Sequence, residues 1–282
     1  MVKRIAITGA SGFIGHHVLD ELLQYDLEII AVTRNASLLK DYAQRIKVVE
    51  FDIANTQENV FDKLGFPDML IHLAWDGLPN YKSLSHFEIE LPRQYHFLKT
   101  MIDGGLKSLV VTGTCFEYGM QSGCLSESLP ALPSNPYGYA KNALRKQLEF
   151  LKVVKPFNFT WARLFYVFGR GQSKTSIYTQ LNEAVLRGDS TFNMSGGEQL
   201  RDYLPIEEVA SLIVRLALLD KNFGVVNLAS GKPISVRELV DNWIKQNHWN
   251  IQPNLGFYPY PDYEPMEFWG DNNLLKAALR EK

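Results

Sequence analysis

Tyr137 and Lys141 stand four residues apart in Pro136-Tyr-Gly-Tyr-Ala-Lys141, at the start of a stretch with helical period. On a helix that spacing puts both side chains on one face, with the ammonium beside the phenol. A free phenol has a pKa near ~10, and a fixed positive charge favours the phenolate, so the pair makes a proton donor or acceptor usable near neutrality. Tyr139 has no lysine at the fourth following position, which singles out Tyr137. Pro136 suits the first turn of a helix, where its missing N–H costs nothing.

A second constellation lies at the start of the chain. An apolar run, 2–8, ends in Thr8-Gly9-Ala10-Ser11-Gly12-Phe13-Ile14-Gly15 and opens directly into a helix-period stretch, 12–24. Glycines there permit a tight turn, a close approach of backbone to a pyrophosphate, and close packing of helix on strand. The helix N-terminus adds unpaired N–H groups and a positive dipole. The chemistry implied is dinucleotide binding, with Gly9, Ser11, Gly12, Phe13, Ile14 and Gly15 as the contact set. The next run ends in Thr33-Arg34-Asn35, with no carboxylate to accept from the ribose hydroxyls. Arg34 instead offers a planar donor fork suited to a 2′-phosphate, so the expected cofactor is NADP, with NAD the alternative.

The elements that position these residues follow from periodicity. Seven short runs, 2–8, 27–33, 46–51, 69–74, 108–113, 160–165 and 225–228, are rich in Val, Ile and Leu and more continuous than alternating, as strands covered on both faces require. Helix-period segments at 12–24, 85–102, 137–154 and 206–219 lie between them. The alternation predicts an α/β fold, a doubly wound parallel sheet. A helix at 176–186, and a capping-box start at Ser235-Val-Arg-Glu238, fall in looser, Gly- and Pro-rich sequence. The expected division is a dinucleotide-binding domain, 1–165 plus about 201–230, and a smaller discontinuous C-terminal substrate domain, about 166–200 plus 231–282.

The 282 residues carry 46% hydrophobic and 21% charged side chains and a formal net charge of -2. Such a balance excludes a disordered chain and gives no general pull on nucleic acid or an anionic membrane. No apolar span approaches the length of a membrane helix, and the first residues do not read as a signal peptide. Cys115 and Cys124 build neither a disulfide framework nor a thiolate zinc site, and no histidine has metal-like spacing. The expectation is a reduced, cytoplasmic protein without a metal. His72, on a buried run, reads as a satisfied core histidine.

The Gly-x-x-Gly-x-x-Gly spacing resembles the extended short-chain dehydrogenase/reductase family, whose members mostly act on nucleotide sugars, and further motifs fall in the family's order over essentially the whole chain. Asp52-Ile53 follows the third strand, where the family touches adenine. His72-Leu73-Ala74-Trp75 matches a turn against the cofactor. Thr112-Gly-Thr114-Cys-Phe-Glu-Tyr-Gly119 resembles the Ser-Ser-x-x-x-Tyr-Gly segment, Tyr137-x-x-x-Lys141 the catalytic pair, and Arg201-Asp202-Tyr203 the substrate-phosphate motif. The resemblance implies Thr114, Tyr137 and Lys141 as the catalytic set, and Asp52, Ile53, Leu73, Ala74 and Thr112 beside the dinucleotide. It also implies a homodimer through a four-helix bundle, built from 85–102 and 137–154. Phe87, Leu91, Phe97, Leu144, Leu148 and Leu151 are the apolar residues offered for that bundle.

Departures from the family pattern narrow the chemistry. The family's dehydratases carry an Asp-Glu pair directly after the catalytic Thr; Cys115 and Phe116 stand there and cannot do that proton work. Cys115 reads as a small residue packed by the site. Tyr166 replaces the usual Asn of an Arg-x-x-Asn segment, and Arg201 is expected on a diphosphate. Trp75, Asn80, Tyr81, Phe116, Tyr166 and Arg201 form the expected substrate side, with 193–199 toward the nucleobase. Asp202 and Glu208 read as structural. The activity expected is reduction of a 4-keto-6-deoxy nucleotide sugar, hydride transfer at C4 with Tyr137 as acid/base. The alternative is a nucleotide-sugar 4-epimerase with retained NAD, and a non-catalytic dinucleotide-binding module is a third reading.

Overall fold

The computed structural model describes residues 3–280. Seven strands form one parallel sheet: β1 (Arg4–Thr8), β2 (Glu28–Thr33), β3 (Lys47–Glu50), β4 (Met69–His72), β5 (Ser108–Thr114), β6 (Asn158–Leu164) and β7 (Gly224–Leu228). Their spatial order is β3-β2-β1-β4-β5-β6-β7, so the winding direction reverses between β1 and β4. Ligands of such sheets bind outside the carboxyl ends of the strands at that reversal. All seven expected runs are sheet strands; Val2, the first residue of the first run, lies outside the described residues.

Alternation along the strands divides the core into two layers. Ile5 and Ile7 point to one face, where α1 (Phe13–Leu22) contributes Val18, Leu19 and Leu22, and a later helix, Ile206–Leu219, contributes Val209, Ile213 and Leu216. Ala6, Leu70, Leu109 and Val111 point to the other face, against α2 (Leu91–Asp103) and α3 (Pro136–Val154). α2 departs from the single helix expected over 85–102: a π-helical turn at His86–Glu90 precedes it. Pro92 has no N–H for an i−4 carbonyl, so an unbroken α-helix through this point would lose a hydrogen bond.

Among the described residues the other α-helices of eight or more residues are α4 (Ile177–Arg187), α5 (Ile206–Leu219), α6 (Val236–Gln246) and α7 (Asn273–Arg280). α4 and α6 share a separate small core of Leu181, Phe192, Leu239, Val240, Trp243 and Ile251. The expected division differs at its end. Leu275 and Ala278 of α7 pack into the first layer of the main core, so the last helix belongs with the sheet. Two- and three-residue strand pairs tie the pieces: 166–168 with 203–205, 200–201 with 234–235, 191–193 with 252–254, and 123–125 with 268–270. Among the described residues no helix is long and apolar enough to cross a membrane.

Candidate active site

Two clefts open at the carboxyl ends of the strands. The smaller, about 370 Å³, is lined by Gly9, Ser11, Gly12, Thr33, Arg34, Asp52, Ile53, Leu73, Ala74, Trp75 and Asp76. Its floor is fitted to glycine. Gly9 has φ +68°, and a Cβ there would come within 2.8 Å of the Ala74 amide nitrogen; one on Gly15 would lie 2.2 Å from the Gly9 carbonyl oxygen. Helix α1 begins at Gly12 without a side-chain cap, so its first N–H groups stay available. These features fit a dinucleotide pyrophosphate. Ser11 and Thr33 hydroxyls are joined at 2.9 Å, tying the turn to β2, and Asp52 Oδ1 accepts from the Ala54 N–H.

Three expectations about this cleft need correction. The side chains of Phe13 and Ile14 pack against the main core rather than lining the cleft, so only their backbone faces the turn. Thr112 sits behind it, its hydroxyl donating to the His72 carbonyl at 3.4 Å. Trp75, placed on the substrate side by the sequence, lines the dinucleotide cleft instead, because its indole turns inward over Lys141. Arg34 lies at the rim with Nη1 2.6 Å from Asp76 Oδ2, both side chains more than half exposed.

Tyr137 lies where the clefts meet. It touches Trp75 of the smaller cleft, and Tyr81 and Phe116 of the larger, with ring centroids 5.9, 5.6 and 6.4 Å away. Asn135 caps α3, accepting from the Gly138 N–H at 2.8 Å. The helix then turns Tyr137 and Lys141 inward together, 7% and 2% exposed, while Tyr139 is 54% exposed. Lys141 Nζ donates to the Thr112 carbonyl at 2.9 Å and stands 4.2 Å from the Trp75 ring centroid. Burial drives its pKa down to about 7, against the opposing pull of Glu117 and Glu90. Burial likewise pushes the Tyr137 phenol well above its ordinary value, with Tyr81, Glu117 and Cys115 adding to it and the Thr114 hydroxyl resisting. Burial thus favours the neutral phenol, the form of Tyr137 that can donate a proton.

Thr114 begins a one-turn helix, Cys115–Tyr118, as half of a capping box. Its hydroxyl accepts from the Phe116 N–H at 3.3 Å, and Glu117 Oε1 accepts from the Thr114 N–H at 2.9 Å. Glu117 is fully buried and also accepts from Trp161 Nε1 at 2.8 Å and Arg163 Nη2 at 2.8 Å. Cys115 is buried beside them, its thiol pushed up to about 12 chiefly by burial, which leaves it inert as an acid or base near neutrality. His72 is fully buried and satisfied, Nδ1 with the Thr8 hydroxyl at 2.8 Å and Nε2 with Gln94 at 2.7 Å.

The larger cleft, about 670 Å³, brings together Asn80, Tyr81, Phe116, Tyr166 and Arg201, five of the six residues expected on the substrate side. Gln199 also lines it, whereas Phe192 and Met194 belong to the small core and Asn193 faces a separate shallow groove. Arg201 is not the free cation expected for a diphosphate. Glu264 accepts from its Nε at 3.2 Å and its Nη2 at 2.9 Å, almost out of solvent. Asp202 is structural: its carboxylate accepts from the backbone N–H groups of Ser230, Gly231 and Gly270.

Sequence reasoning missed Glu264, whose partner lies 63 positions away with no local signal. It also passed over Asn135, although Asn before Pro is a helix-start signature, and Glu117, although Thr-x-x-Glu is the capping-box pattern.

Comparison with known proteins agrees with this geometry. The chain is 33% identical over 268 residues to a dTDP-6-deoxy-L-talose 4-dehydrogenase (NAD(+)) of Aggregatibacter actinomycetemcomitans, covering 94% of this chain and 98% of that one. It is 25% identical to a UDP-glucose 4-epimerase of Halalkalibacterium halodurans, over 84% of this chain and 78% of the relative. A solved UDP-glucuronic acid 4-epimerase from Bacillus cereus, in complex with UDP-glucuronic acid and NAD, shares the fold with a TM-score of 0.83. That likeness, at 21% identity, covers 99% of this chain and 93% of that one. The pattern of one family matches residues 5–229, the whole sheet together with the glycine turn and the Tyr137–Lys141 helix: the chain belongs to the NAD dependent epimerase/dehydratase family.

Proposed function

We propose that this protein reduces the C4 ketone of a 4-keto-6-deoxy nucleotide sugar, with Thr114, Tyr137 and Lys141 as the catalytic set. One observation carries the reading: a buried Tyr137 phenol stands where the clefts meet, while Cys115 and Phe116 occupy the positions where a dehydration needs two further acid–base groups. The relative at 33% identity, a 4-dehydrogenase of a dTDP-6-deoxy sugar, supports it, since ketone reduction at C4 is that exchange run backwards.

Gly9, Ser11, Gly12 and Ala74 would hold a nicotinamide dinucleotide in the smaller cleft, and that group would supply the hydride. Tyr137 gives its phenolic proton to the C4 oxygen as the carbon becomes an alcohol. Thr114, whose oxygen already accepts from the Phe116 N–H, donates its own hydrogen to the same oxygen. The phenolate left on Tyr137 faces Lys141, whose ammonium stabilises it until a proton returns from solvent. For the dinucleotide, Arg34 speaks for NADP. Asp76 bound to Arg34, and the NAD named for the relative and held in the related complex, speak for NAD. Assembly as a homodimer through α2 and α3 belongs to the same reading.

A second reading, a 4-epimerase, is favoured by the UDP-glucose 4-epimerase relative. One assay separates the two. The purified protein is incubated with dTDP-, GDP- and UDP-linked 4-keto-6-deoxy sugars and NADH or NADPH in turn, and with the corresponding 4-hydroxy sugars alone. Stoichiometric oxidation of the dinucleotide with formation of a 4-hydroxy sugar is expected. Interconversion of two 4-hydroxy epimers without added cofactor would replace the reductase with the epimerase.

A further inference from the structure

Six buried side-chain atoms among the described residues have no hydrogen-bond partner in the protein, and three of the six belong to residues lining the larger cleft: Asn135 Nδ2, Tyr166 Oη and Gln172 Oε1. Buried polar groups are nearly always paired, so three such atoms around one cavity mark positions where a ligand completes the bonding.

The two amides are fixed in orientation by the bonds they do make. A backbone N–H can only donate, so the bond from Gly138 N identifies the Asn135 oxygen and leaves Nδ2 as the free edge. A backbone carbonyl can only accept, so the 2.7 Å bond to Val167 O identifies Gln172 Nε2 and leaves Oε1 free. One amide therefore offers a donor and the other an acceptor. Tyr81, Phe116 and Tyr263 add an aromatic surface to the same cleft. Asn135 is 7% exposed and stands two residues before Tyr137 on the same rigid helix start, so its free donor has a fixed place relative to the phenol.

We propose that Asn135 Nδ2 and Gln172 Oε1 are substrate-binding groups that read the hydroxyl pattern of the hexose: Asn135 donates to a sugar oxygen near the reacting carbon, and Gln172 accepts from a sugar hydroxyl. This rests on the nucleotide-sugar reading of the larger cleft and assigns Asn135 a second task beside capping.

The test uses Asn135→Ser and Asn135→Asp, both of which keep an oxygen to cap α3 and remove the amide donor, and Gln172→Met, which removes the acceptor. Binding of dTDP-, GDP- and UDP-sugars and of the matching nucleoside diphosphates is measured by calorimetry, with thermal melting as a check on the cap. Each variant is expected to lose about tenfold in affinity for the nucleotide sugar and less than twofold for the nucleoside diphosphate, with KM rising by a similar factor. Unchanged sugar affinity in Asn135→Ser and Asn135→Asp, at unchanged melting temperature, would reduce Asn135 to a helix cap. Equal losses for sugar and nucleoside diphosphate would overturn the sugar assignment. Wild-type protein that binds nucleotide sugars but reduces no ketone would sink the reductase and leave this inference intact. Wild-type protein that binds no nucleotide sugar would sink both.

Discussion

Lys141→Met replaces a buried cation by an apolar chain of similar length, and its consequences can be worked out from the burial of the amine. In the unfolded chain the amine holds its proton up to its ordinary value of 10.5; in the fold, burial brings that value to about 7. Between these limits the unfolded state carries one more proton than the native state, so stability falls as pH is lowered through the window, by about 1.4 kcal/mol per pH unit, and the fall ends below about 7, where both states are protonated. The whole penalty on the charged form is about 5 kcal/mol at neutral pH and below. Methionine has no proton to bind and should remove the slope. Urea unfolding of wild type and variant at pH 7, 8 and 9 measures it: the variant should be the more stable at pH 7, by an amount that shrinks as pH rises. Its turnover should meanwhile drop by about 10²-fold or more as the phenolate loses its cation. Parallel stability curves for the two proteins would show that Lys141 keeps its charge in the fold, and the reasoning from desolvation would be wrong.

Tyr137→Phe should lower turnover by about 10²–10⁴-fold with dinucleotide affinity unchanged, as read by steady-state kinetics and fluorescence titration; a variant that keeps most of its turnover moves the proton donor elsewhere. Arg34→Ala should weaken NADPH by about 1.5–3 kcal/mol and NADH hardly at all, and equal losses would show that Arg34 does not read a 2′-phosphate. Light scattering should give twice the chain mass, and Phe150→Glu with Val153→Glu should return it to that of one chain. A wild-type monomer in dilute solution removes the dimer.

That last prediction uses other residues than the sequence offered. Phe97, Leu144, Leu148 and Leu151 are consumed by the core of their own chain. The apolar side chains that α3 leaves outside are Tyr139, Phe150, Val153 and Val154, 54%, 72%, 82% and 78% exposed. Periodicity shows that a helix has an apolar stripe but not whether sheet or partner covers it. The sheet itself was legible, since strands buried on both faces leave continuous Val, Ile and Leu runs, and so was the glycine turn, whose spacing is local. Tyr137 and Lys141 were legible because i,i+4 is a property of one helix. What stayed hidden depends on distant chain: Glu264 on Arg201, Asp76 on Arg34, and the inward turn of Trp75 over Lys141. The two-residue strand pairs are too short to leave any period.

The turn that carries Thr114 is held by Thr114, Glu117 and the backbone, with Glu117 anchored in turn on Trp161 and Arg163 of the sheet. Positions 115 and 116 lie between these anchors, and the bonds that shape the turn do not run through their side chains. Thr114 thus serves both the turn and the proposed reaction, whereas the side chains at 115 and 116 stay outside the bonds that hold it. An exchange of either side chain therefore leaves those bonds in place, and at 115 its cost falls on packing, because Cys115 lies in a small buried cluster with Tyr118, Leu125, Phe165 and Phe268.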